Sequence, residues 1–361
     1  MSENTSDIRN ILLIILIIII FAVFKLLAAL LIPLAFAGLL ILLNMPLINF
    51  LHSRKVPKIF IVLSVAFITL AVLWFVVAMI SGTVNQLIAD KSFLAEQFNK
   101  KINKAVIAVG DTLPFIDADL LRVNINSILS QENISQLLGS VLGALSSFGS
   151  STVLFLLYYF ILLTSATGYK EYVDYVLGDD KNGKKREIWE KTQTSISKYV
   201  SIKSLISLTT GIITGIICWS FGLQFAVFWG FLAFLLNFIP SIGSIIATSF
   251  PLFMAVIQFD NLGVIAAIGI LLILTQLIIG NIIDPMIMGS QLKLNTVTVI
   301  FGLLFWGYIW GIPGMLLSVP LMVTIRLMLD QSRDLSIISR IMGYPEKQVK
   351  KRFKYKSESN K

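Results

Sequence analysis

Asp284 is the residue of this sequence best placed to do chemistry, because it stands in a long apolar tract. Residues 205–325 hold three formal charges, Asp260, Asp284 and Lys293. An ionisable group inside a membrane segment is costly unless it faces protein or water, so Asp284 is a candidate for a functional site. It could bind a cation, accept a coupling proton or pair with Lys293. The alternative is a helix-end residue near the cytoplasmic boundary, with Pro285 as a stop signal.

Uncharged polar side chains accompany Asp284. Asn281 stands three residues before it, so the two would share one face of an α-helix. Gln276 lies about one turn farther back. We predict that these three residues line the pathway of a solute or ion.

Pro240 marks a second polar interruption of the apolar tract. A proline removes a backbone donor and clashes with the preceding helical turn, which leaves carbonyl groups free. Asn237, Ser241 and Gly243 surround this break, and the first two supply uncharged oxygen atoms for a polar solute or a dehydrated cation. The same side chains could instead repair the hydrogen bonding of a kinked helix, and both interpretations stay open.

The sequence offers no support for an enzyme, a metal site or a cofactor. It contains one cysteine and one histidine, and its acidic residues form no cluster with metal-ligand spacing. Loops that bind nucleotides or present a catalytic serine are also missing. The net charge of +9 comes from short cationic segments that flank apolar runs, which favours a membrane protein over a nucleic-acid-binding protein.

The elements that must position these residues are membrane helices. The chain is 56% hydrophobic and 14% charged, against about 25% charged residues in soluble domains. We predict an all-α, polytopic integral membrane protein with about seven or eight transmembrane or re-entrant elements and an amphipathic arm. The expected segments are a transmembrane hairpin with a third helix (1–83), the extramembrane arm (84–145), a transmembrane helix (146–167), a basic cytoplasmic loop (168–204), a C-terminal transmembrane core with broken helices (205–329) and a basic tail (330–361).

Two helical runs of the C-terminal core are too short to cross a bilayer. Phe225–Phe238 and Val297–Trp310 would each be about 21 Å long, whereas the hydrocarbon core is about 30 Å thick. Short segments interrupted by proline or glycine indicate broken or re-entrant helices of the kind found in transporters. The residues expected at these hinges or re-entrant turns are Pro240, Pro285, Gly311, Pro313 and Gly314.

The distribution of lysine and arginine predicts the orientation of the chain. Cations cluster in the loop at His52–Lys58, around Lys184 and in the C-terminal tail, so these segments are expected in the cytoplasm together with both termini. The first two helices would form a hairpin that turns at Lys25–Pro33. Three spans then place the arm at residues 84–145 on the opposite side of the membrane.

The breaks, taken in order, resemble the AI-2E family of bacterial transporters, also called the UPF0118 or PerM-like family. The matching segments are Phe238–Gly243, Gln276–Gly289 and Gly311–Pro320, preceded near the N-terminus by Leu43–Leu47 and Arg54–Pro57. The resemblance implies a multi-pass protein of the bacterial inner membrane that forms a homo-oligomer, with a ring such as a pentamer as one arrangement.

The resemblance also implies a set of functions. Family members are linked to export of the quorum-sensing signal autoinducer-2, and others are similar to Na⁺(Li⁺)/H⁺ antiporters. The first hypothesis is therefore an exporter of a small hydrophilic solute, with the lipid bilayer, the solute and further copies of the chain as its partners. The second is an antiporter that uses Asp284, and the third is an oligomeric channel or membrane scaffold.

Overall fold

The computed structural model describes residues 2–90, 96–97, 100–101, 104, 152–166, 184–288, 294–330 and 336–343. Regular structure in these ranges is helical, apart from one isolated bridge between Leu294 and Gly343. The helices are α1 (Ser2–Leu26), α2 (Ala28–Ser53), α3 (Lys58–Ala89), α4 (Thr152–Ala166), α5 (Lys184–Ser220), α6 (Ala226–Leu236), α7 (Ile242–Gln258), α8 (Leu262–Ile278), a π-helix (Ile279–Ile283), α9 (Asp284–Met288), α10 (Thr296–Asp330) and α11 (Ser336–Met342).

Apolar helices dominate this list. Five stretches in the described part of the chain are long and apolar enough to cross a membrane, and three further apolar helices are shorter. The prediction of an all-helical polytopic membrane protein is therefore confirmed. The five long stretches are Ala28–Ser53, Lys58–Ala89, Thr192–Ser220, Leu262–Ile287 and Thr296–Asp330.

The N-terminal helices do not form the expected hairpin between Lys25 and Pro33. Leu27 alone separates α1 from α2, and helical hydrogen bonding continues across it. Its amide donates to the carbonyl of Val23 at 2.8 Å, and its carbonyl accepts from the amide of Leu31 at 2.9 Å. A single residue with φ of −88° and ψ of 14° bends a helix but cannot reverse it, so α1 and α2 form one kinked helix.

A buried polar cluster joins α2, α3 and α4. The hydroxyl oxygens of Thr69 and Tyr159 lie 2.6 Å apart, and the side-chain amide of Asn44 donates to the Tyr159 hydroxyl at 3.0 Å. Tyr159 is fully buried, and apolar side chains of the same three helices surround it. Hydrogen-bonded polar groups of this kind fix one helix against another where an unpaired group would be costly.

α5 is continuous from Lys184 to Ser220, so the helix predicted in the basic segment 168–204 runs into the membrane core across the predicted boundary at residue 204. The periodic apolar residues before that boundary and the apolar run after it belong to one helix. α6 then runs back along α5, and the two backbones meet at Gly211 and Gly230. A side chain on Gly211 would approach the Gly230 carbonyl within 2.6 Å, so glycine is required there.

α6 and α7 form a helical hairpin, which we call the first hairpin (residues 226–258). Its open end is fastened by Gln258, whose side chain accepts from the amide of Gln224 at 2.8 Å and donates to the carbonyl of Gly222 at 2.7 Å. Its turn contains Pro240, as the sequence predicts. The open end lies at the C-terminal end of α5, so the hairpin enters from the end of the molecule that also carries Asp260.

α10 is likewise folded back on itself and forms the second hairpin (residues 296–330). Gly311 has a φ of 65° and a ψ of −144°, values that interrupt the helix. A side chain on Gly302 would approach Met322 within 2.5 Å, and one on Gly307 would approach Met315 within 2.9 Å. These contacts between residues up to 20 positions apart require a reversal, so the predicted break at Gly311 is a tight turn.

The two hairpins enter from opposite ends of the molecule. α8 starts beside Asp260 and runs along α5 to Asp284, from which α9 continues in the same direction. The chain then enters the second hairpin from the end of the molecule that carries Asp284. There the backbone amide of Asn295 donates to the carbonyl of Met342 at 2.9 Å. Opposed re-entrant hairpins agree with the two short segments that the sequence indicated.

The start of the predicted arm touches the turn between α7 and α8. Lys101 forms an ion pair with Asp260 at 2.8 Å, and Lys104 lies 3.6 Å from the same carboxylate. The hydrogen bond from Lys101, followed by the positive charges of Lys101 and Lys104, holds the pKa of Asp260 below its usual value. α3 continues to Ala89, past the predicted start of the arm at residue 84. Most of the arm lies outside the described residues.

Candidate functional site

An ion pair between α5 and α9 forms the centre of the candidate site. The Nζ atom of Lys203 donates to Oδ2 of Asp284 at 2.8 Å. The Lys203 side chain is 7% exposed and that of Asp284 is 21% exposed. Two charges removed from water to this degree are stable only together, because separating them leaves an uncompensated buried charge.

A π-helix positions Asp284 opposite Lys203. The amide of Asp284 donates to the carbonyl of Ile279, five residues earlier, in place of the usual four. Pro285 follows directly, and a proline in a regular α-helix would clash with the carbonyl four residues before it. The wider turn accommodates this proline, so the expected break at Asp284-Pro285 is a local widening after which the helix continues. Such π-helical turns occur frequently at functional sites.

The turn of the first hairpin lies next to this ion pair. The side-chain amide of Asn237 donates to the hydroxyl of Ser207 at 3.0 Å, and Ser207 is fully buried. Ser207 is one helical turn from Lys203, so both side chains project from one face of α5. Adjacent turns of α5 therefore hold the first hairpin through Ser207 and α9 through Lys203.

Backbone strain is concentrated in the turn of the first hairpin. Ser241 has a φ of 61° and a ψ of −52°, and the amide of Ile242 donates to the carbonyl of Pro240 at 2.7 Å across it. This is the γ-turn with positive φ, which is rare and strained for residues other than glycine. Gly243 is buried, and a side chain there would overlap the carbonyl of Leu236. Strain of this kind tends to occur at functional sites and switch regions.

Asn281 and Gln276 were also predicted to line the pathway, and that role stays a prediction for both. Asn281 is exposed on the outer surface of the π-helix and does not share the face of Asp284. The prediction assumed 3.6 residues per turn, whereas hydrogen bonds that span five residues make the turn wider, so residues three apart diverge. Gln276 is half-buried in α8, one turn before the π-helix.

The turn of the second hairpin packs against α1. The indole nitrogen of Trp310 donates to the carbonyl of Phe24 at 3.0 Å, beside the kink at Leu27. A side chain on Gly314 would overlap the carbonyl of Trp306, so the turn is closely packed. Pro313 lies in the first turn of the returning arm, where its missing amide leaves no donor unpaired. The predicted turn residues Gly311, Pro313 and Gly314 therefore form one structural unit.

Lys203 is the functional candidate that the sequence interpretation missed. The sequence places Lys203 in the polar segment before the membrane core, and it offers Lys293, which lies outside the described residues, as one possible partner of Asp284. A signal was available: Tyr199, Lys203 and Ser207 are spaced by four residues and lie on one helix face. All three are buried.

Several buried polar atoms have no hydrogen-bond partner among the described residues. Oδ1 of Asp284 belongs to the ion pair itself, whereas the hydroxyls of Ser201 and Thr214 lie elsewhere along α5. Unsatisfied buried groups are uncommon in proteins, and each one suggests an unseen ligand, water or a change of conformation. In the same described ranges, no three His, Cys, Asp or Glu side chains gather as a metal site would require.

Sequence comparison decides the family to which this chain belongs. The sequence profile described as AI-2E family transporter matches residues 12–334, which is most of the chain. The chain belongs to the AI-2E transporter family. It is therefore a multi-pass membrane protein of a transporter family, as its long apolar helices indicated.

Bacterial relatives match this AI-2E family transporter over nearly their whole length. A protein of Haemophilus influenzae is 28% identical over 355 residues, which cover 95% of this chain and 98% of the relative. The Escherichia coli protein YhhT is 28% identical over 324 residues, or 89% of each chain. The Escherichia coli AI-2 transport protein TqsA is 28% identical over 307 residues, which cover 84% of this chain and 87% of TqsA.

Proposed function

We propose that this protein exports a small hydrophilic solute, such as the quorum-sensing signal autoinducer-2, across the bacterial inner membrane. The observation that carries the proposal is the buried ion pair of Lys203 with Asp284 beside the turn of the first hairpin. The name of TqsA supports the choice of autoinducer-2 as the first solute to test.

The proposed mechanism is an exchange of hydrogen-bond partners at this site. We assign the conformation that the structure describes, in which Lys203 is paired with Asp284 and Ser207 accepts from Asn237, as the closed state of this mechanism. A polar solute that reaches the site offers oxygen atoms to Lys203 and Asn237 and hydroxyl donors to Asp284. The first hairpin and α9 can then separate from α5 without leaving charges unpaired, which would otherwise be strongly unfavourable.

The strained turn at Ser241 supports movement of the first hairpin. A residue in a sparsely populated conformation costs about 1–3 kcal/mol and persists only when its surroundings enforce it. In the closed state those surroundings include the contact of Asn237 with α5. Release of that contact would allow Pro240, Ser241 and Gly243 to relax, so we propose that these residues act as a hinge.

A second candidate function is Na⁺(Li⁺)/H⁺ exchange through Asp284. The specific observation in its favour is the buried Oδ1 atom of Asp284, which has no hydrogen-bond donor among the described residues. A free carboxylate oxygen is a typical site for a proton or a small hard cation. In this mechanism the entering cation would compete with Lys203 for the carboxylate.

The orientation and the assembly are also proposals. Positive charge flanking the apolar helices supports cytoplasmic positions for the C-terminal tail, for the loop at Arg54 and for the segment around Lys184. The prediction of a cytoplasmic N-terminus relied on a hairpin at Lys25–Pro33, which the continuous path of α1 into α2 replaces. The first hairpin then enters from the outer side and the second from the cytoplasm. The family supports a homo-oligomer. A topology reporter that places Lys184 outside the cell would overturn this orientation.

Reconstitution into lipid vesicles tests the two functions together. Efflux of autoinducer-2 and exchange of Na⁺ for H⁺ are measured for the wild type, for Asp284→Asn and for Asp260→Asn. Asp260 is a matched control because its carboxylate is 70% exposed and lies in the turn outside the site. We expect Asp284→Asn to lose autoinducer-2 efflux while Asp260→Asn retains it. Efflux that persists unchanged in Asp284→Asn would contradict the proposal, and loss of Na⁺/H⁺ exchange alone would favour the second candidate.

A further inference from the structure

A line of buried hydroxyl groups continues from the ion pair along α5. Lys203, Ser207, Thr210 and Thr214 are separated by four, three and four residues, the spacing of one helix face. They are 6%, 0%, 0% and 1% exposed. We call these four residues the hydroxyl face of α5. It extends toward the end of the molecule from which the first hairpin enters.

Hydroxyl groups in membrane helices usually have a structural role, because they can hydrogen-bond to the carbonyl four residues before them. Thr210 follows this pattern and donates to the carbonyl of Ile206 at 2.9 Å. Thr209, on the neighbouring exposed face, also does so, with Leu205 at 3.0 Å. Ser207 is occupied by Asn237. These three hydroxyls are therefore explained by the closed structure.

Thr214 has no such explanation. Its side chain is 1% exposed, and its hydroxyl has no hydrogen-bond partner in the part of the chain that the structure describes. A hydroxyl buried without a partner destabilises a protein, and valine would fill the same volume without that cost. Thr214 therefore points to a partner that the closed state lacks.

We propose that the hydroxyl face of α5 is the route along which a small hydroxyl-bearing solute passes, and that the Thr214 hydroxyl binds this solute as a specificity-determining residue. The inference rests on the proposed transport function and extends it from the ion pair toward the outer end of α5. Beyond Lys203 the face carries no formal charge, and each hydroxyl can both donate and accept. These properties favour an uncharged solute with several hydroxyl groups at this part of the route.

Cysteine accessibility tests whether the route exists, and it requires no knowledge of the solute. Cys218 is the single cysteine of the chain, so Cys218→Ser provides a background without thiols. Thr214→Cys and Thr209→Cys are introduced separately, and a small charged methanethiosulfonate reagent is applied to the protein in membranes. Thr209 is a matched control, because it has the same side chain but faces outward.

We expect Thr214→Cys to react faster than Thr209→Cys by on the order of tenfold, a factor that corresponds to about 1.4 kcal/mol. Equal reaction rates of Thr214→Cys and Thr209→Cys would refute the proposed route. Failure of the route and failure of the proposed function are distinguishable. If Thr214→Cys does not react and Asp284→Asn loses efflux, only the proposed route along α5 is refuted. If Thr214→Cys reacts and Asp284→Asn retains full efflux, only the proposed role of the ion pair is refuted.

Thr214→Val and Thr214→Ser test the role of the hydroxyl itself. Valine keeps the shape of threonine, so we expect Thr214→Val to unfold at the same temperature as the wild type or higher. Solute efflux should nevertheless fall several-fold. Serine restores the hydroxyl and should restore efflux. Wild-type efflux by Thr214→Val would overturn the assignment of this residue.

Discussion

The ion pair between Lys203 and Asp284 makes a quantitative prediction about stability. At the observed separation of 2.8 Å, two unit charges attract each other by about 6 kcal/mol if the effective dielectric constant is about 20. The loss of hydration of both groups offsets most of this attraction. Removal of one partner leaves the other buried and unpaired, which typically costs about 3–5 kcal/mol.

A double-mutant cycle separates these contributions. Lys203→Met keeps an unbranched apolar stem of similar length, and Asp284→Asn keeps the shape of the carboxylate. We expect each single variant to lose about 3–5 kcal/mol of unfolding free energy. The double variant removes both charges, so it should lie within about 1 kcal/mol of the wild type.

Denaturant titration of the detergent-solubilised protein measures the four unfolding free energies. The two single losses sum to about 6–10 kcal/mol and the double variant loses at most about 1 kcal/mol, so the expected coupling energy is about 5 kcal/mol or more, above the usual range for residues in contact. Asp260→Asn serves as the control, and we expect it to leave the unfolding free energy close to that of the wild type because its carboxylate is exposed. Additive effects of Lys203→Met and Asp284→Asn would refute the pairing and the exchange mechanism that depends on it.

Three further predictions concern the first hairpin and its surroundings. Gly243→Ala places a methyl group against a backbone carbonyl, so it should lower the unfolding free energy by about 1–3 kcal/mol. Gly280→Ala is the control, because its methyl group points into open space and should leave the unfolding free energy unchanged. Equal unfolding free energies for the two variants would contradict the tight turn. Asn237→Ala leaves the hydroxyl of Ser207 buried and unpaired, so we expect the unfolding free energy to fall by about 1–3 kcal/mol in the denaturant titration. An unchanged unfolding free energy would exclude this hydrogen bond. The lowered pKa of Asp260 means that its ion pair with Lys101 contributes stability above pH 3.8 and loses it as the pH falls further. The difference in melting temperature between the wild type and Asp260→Asn should therefore be constant from pH 7 to about 5 and shrink as the pH falls below 3.8, and a difference that stays constant below pH 3.8 would contradict this.

The sequence contained enough information to predict the hairpins. Pro240 and Gly311 interrupt apolar runs that are too short to cross a bilayer, and the structure places a chain reversal at both positions. Proline and glycine act on the backbone locally, so their effect can be deduced without knowledge of the tertiary packing. The same holds for the apolar helices, whose length and composition alone indicate a membrane protein.

The composition of the candidate site could not be deduced in the same way. The partner of Asp284 is Lys203, which is 81 residues away in the sequence and was separated from the membrane core because its local segment is polar. The exposure of Asn281 depends on the π-helix, whose wide turn changes which residues share a face. Both features follow from tertiary packing, which a local pattern of hydrophobic residues does not encode.

The N-terminal region illustrates a further limit. Apolar runs on either side of Lys25 resemble two helices of a hairpin, but the segment between them lacks residues that would force a reversal. Leu27 interrupts the helix for one residue, and the kink is held by packing, including the hydrogen bond from Trp310 to the Phe24 carbonyl. Whether this segment forms a kink or a turn therefore depends on contacts with residues almost 300 positions away in the sequence.

The most direct test of the central claim combines stability with transport in one variant. The double variant Lys203→Met with Asp284→Asn should fold like the wild type, because no buried charge is left unpaired. It should nevertheless fail to export autoinducer-2 from reconstituted vesicles, because the groups that exchange partners with the solute are gone. A stable double variant with wild-type export would contradict the claim that solute passes by way of this ion pair.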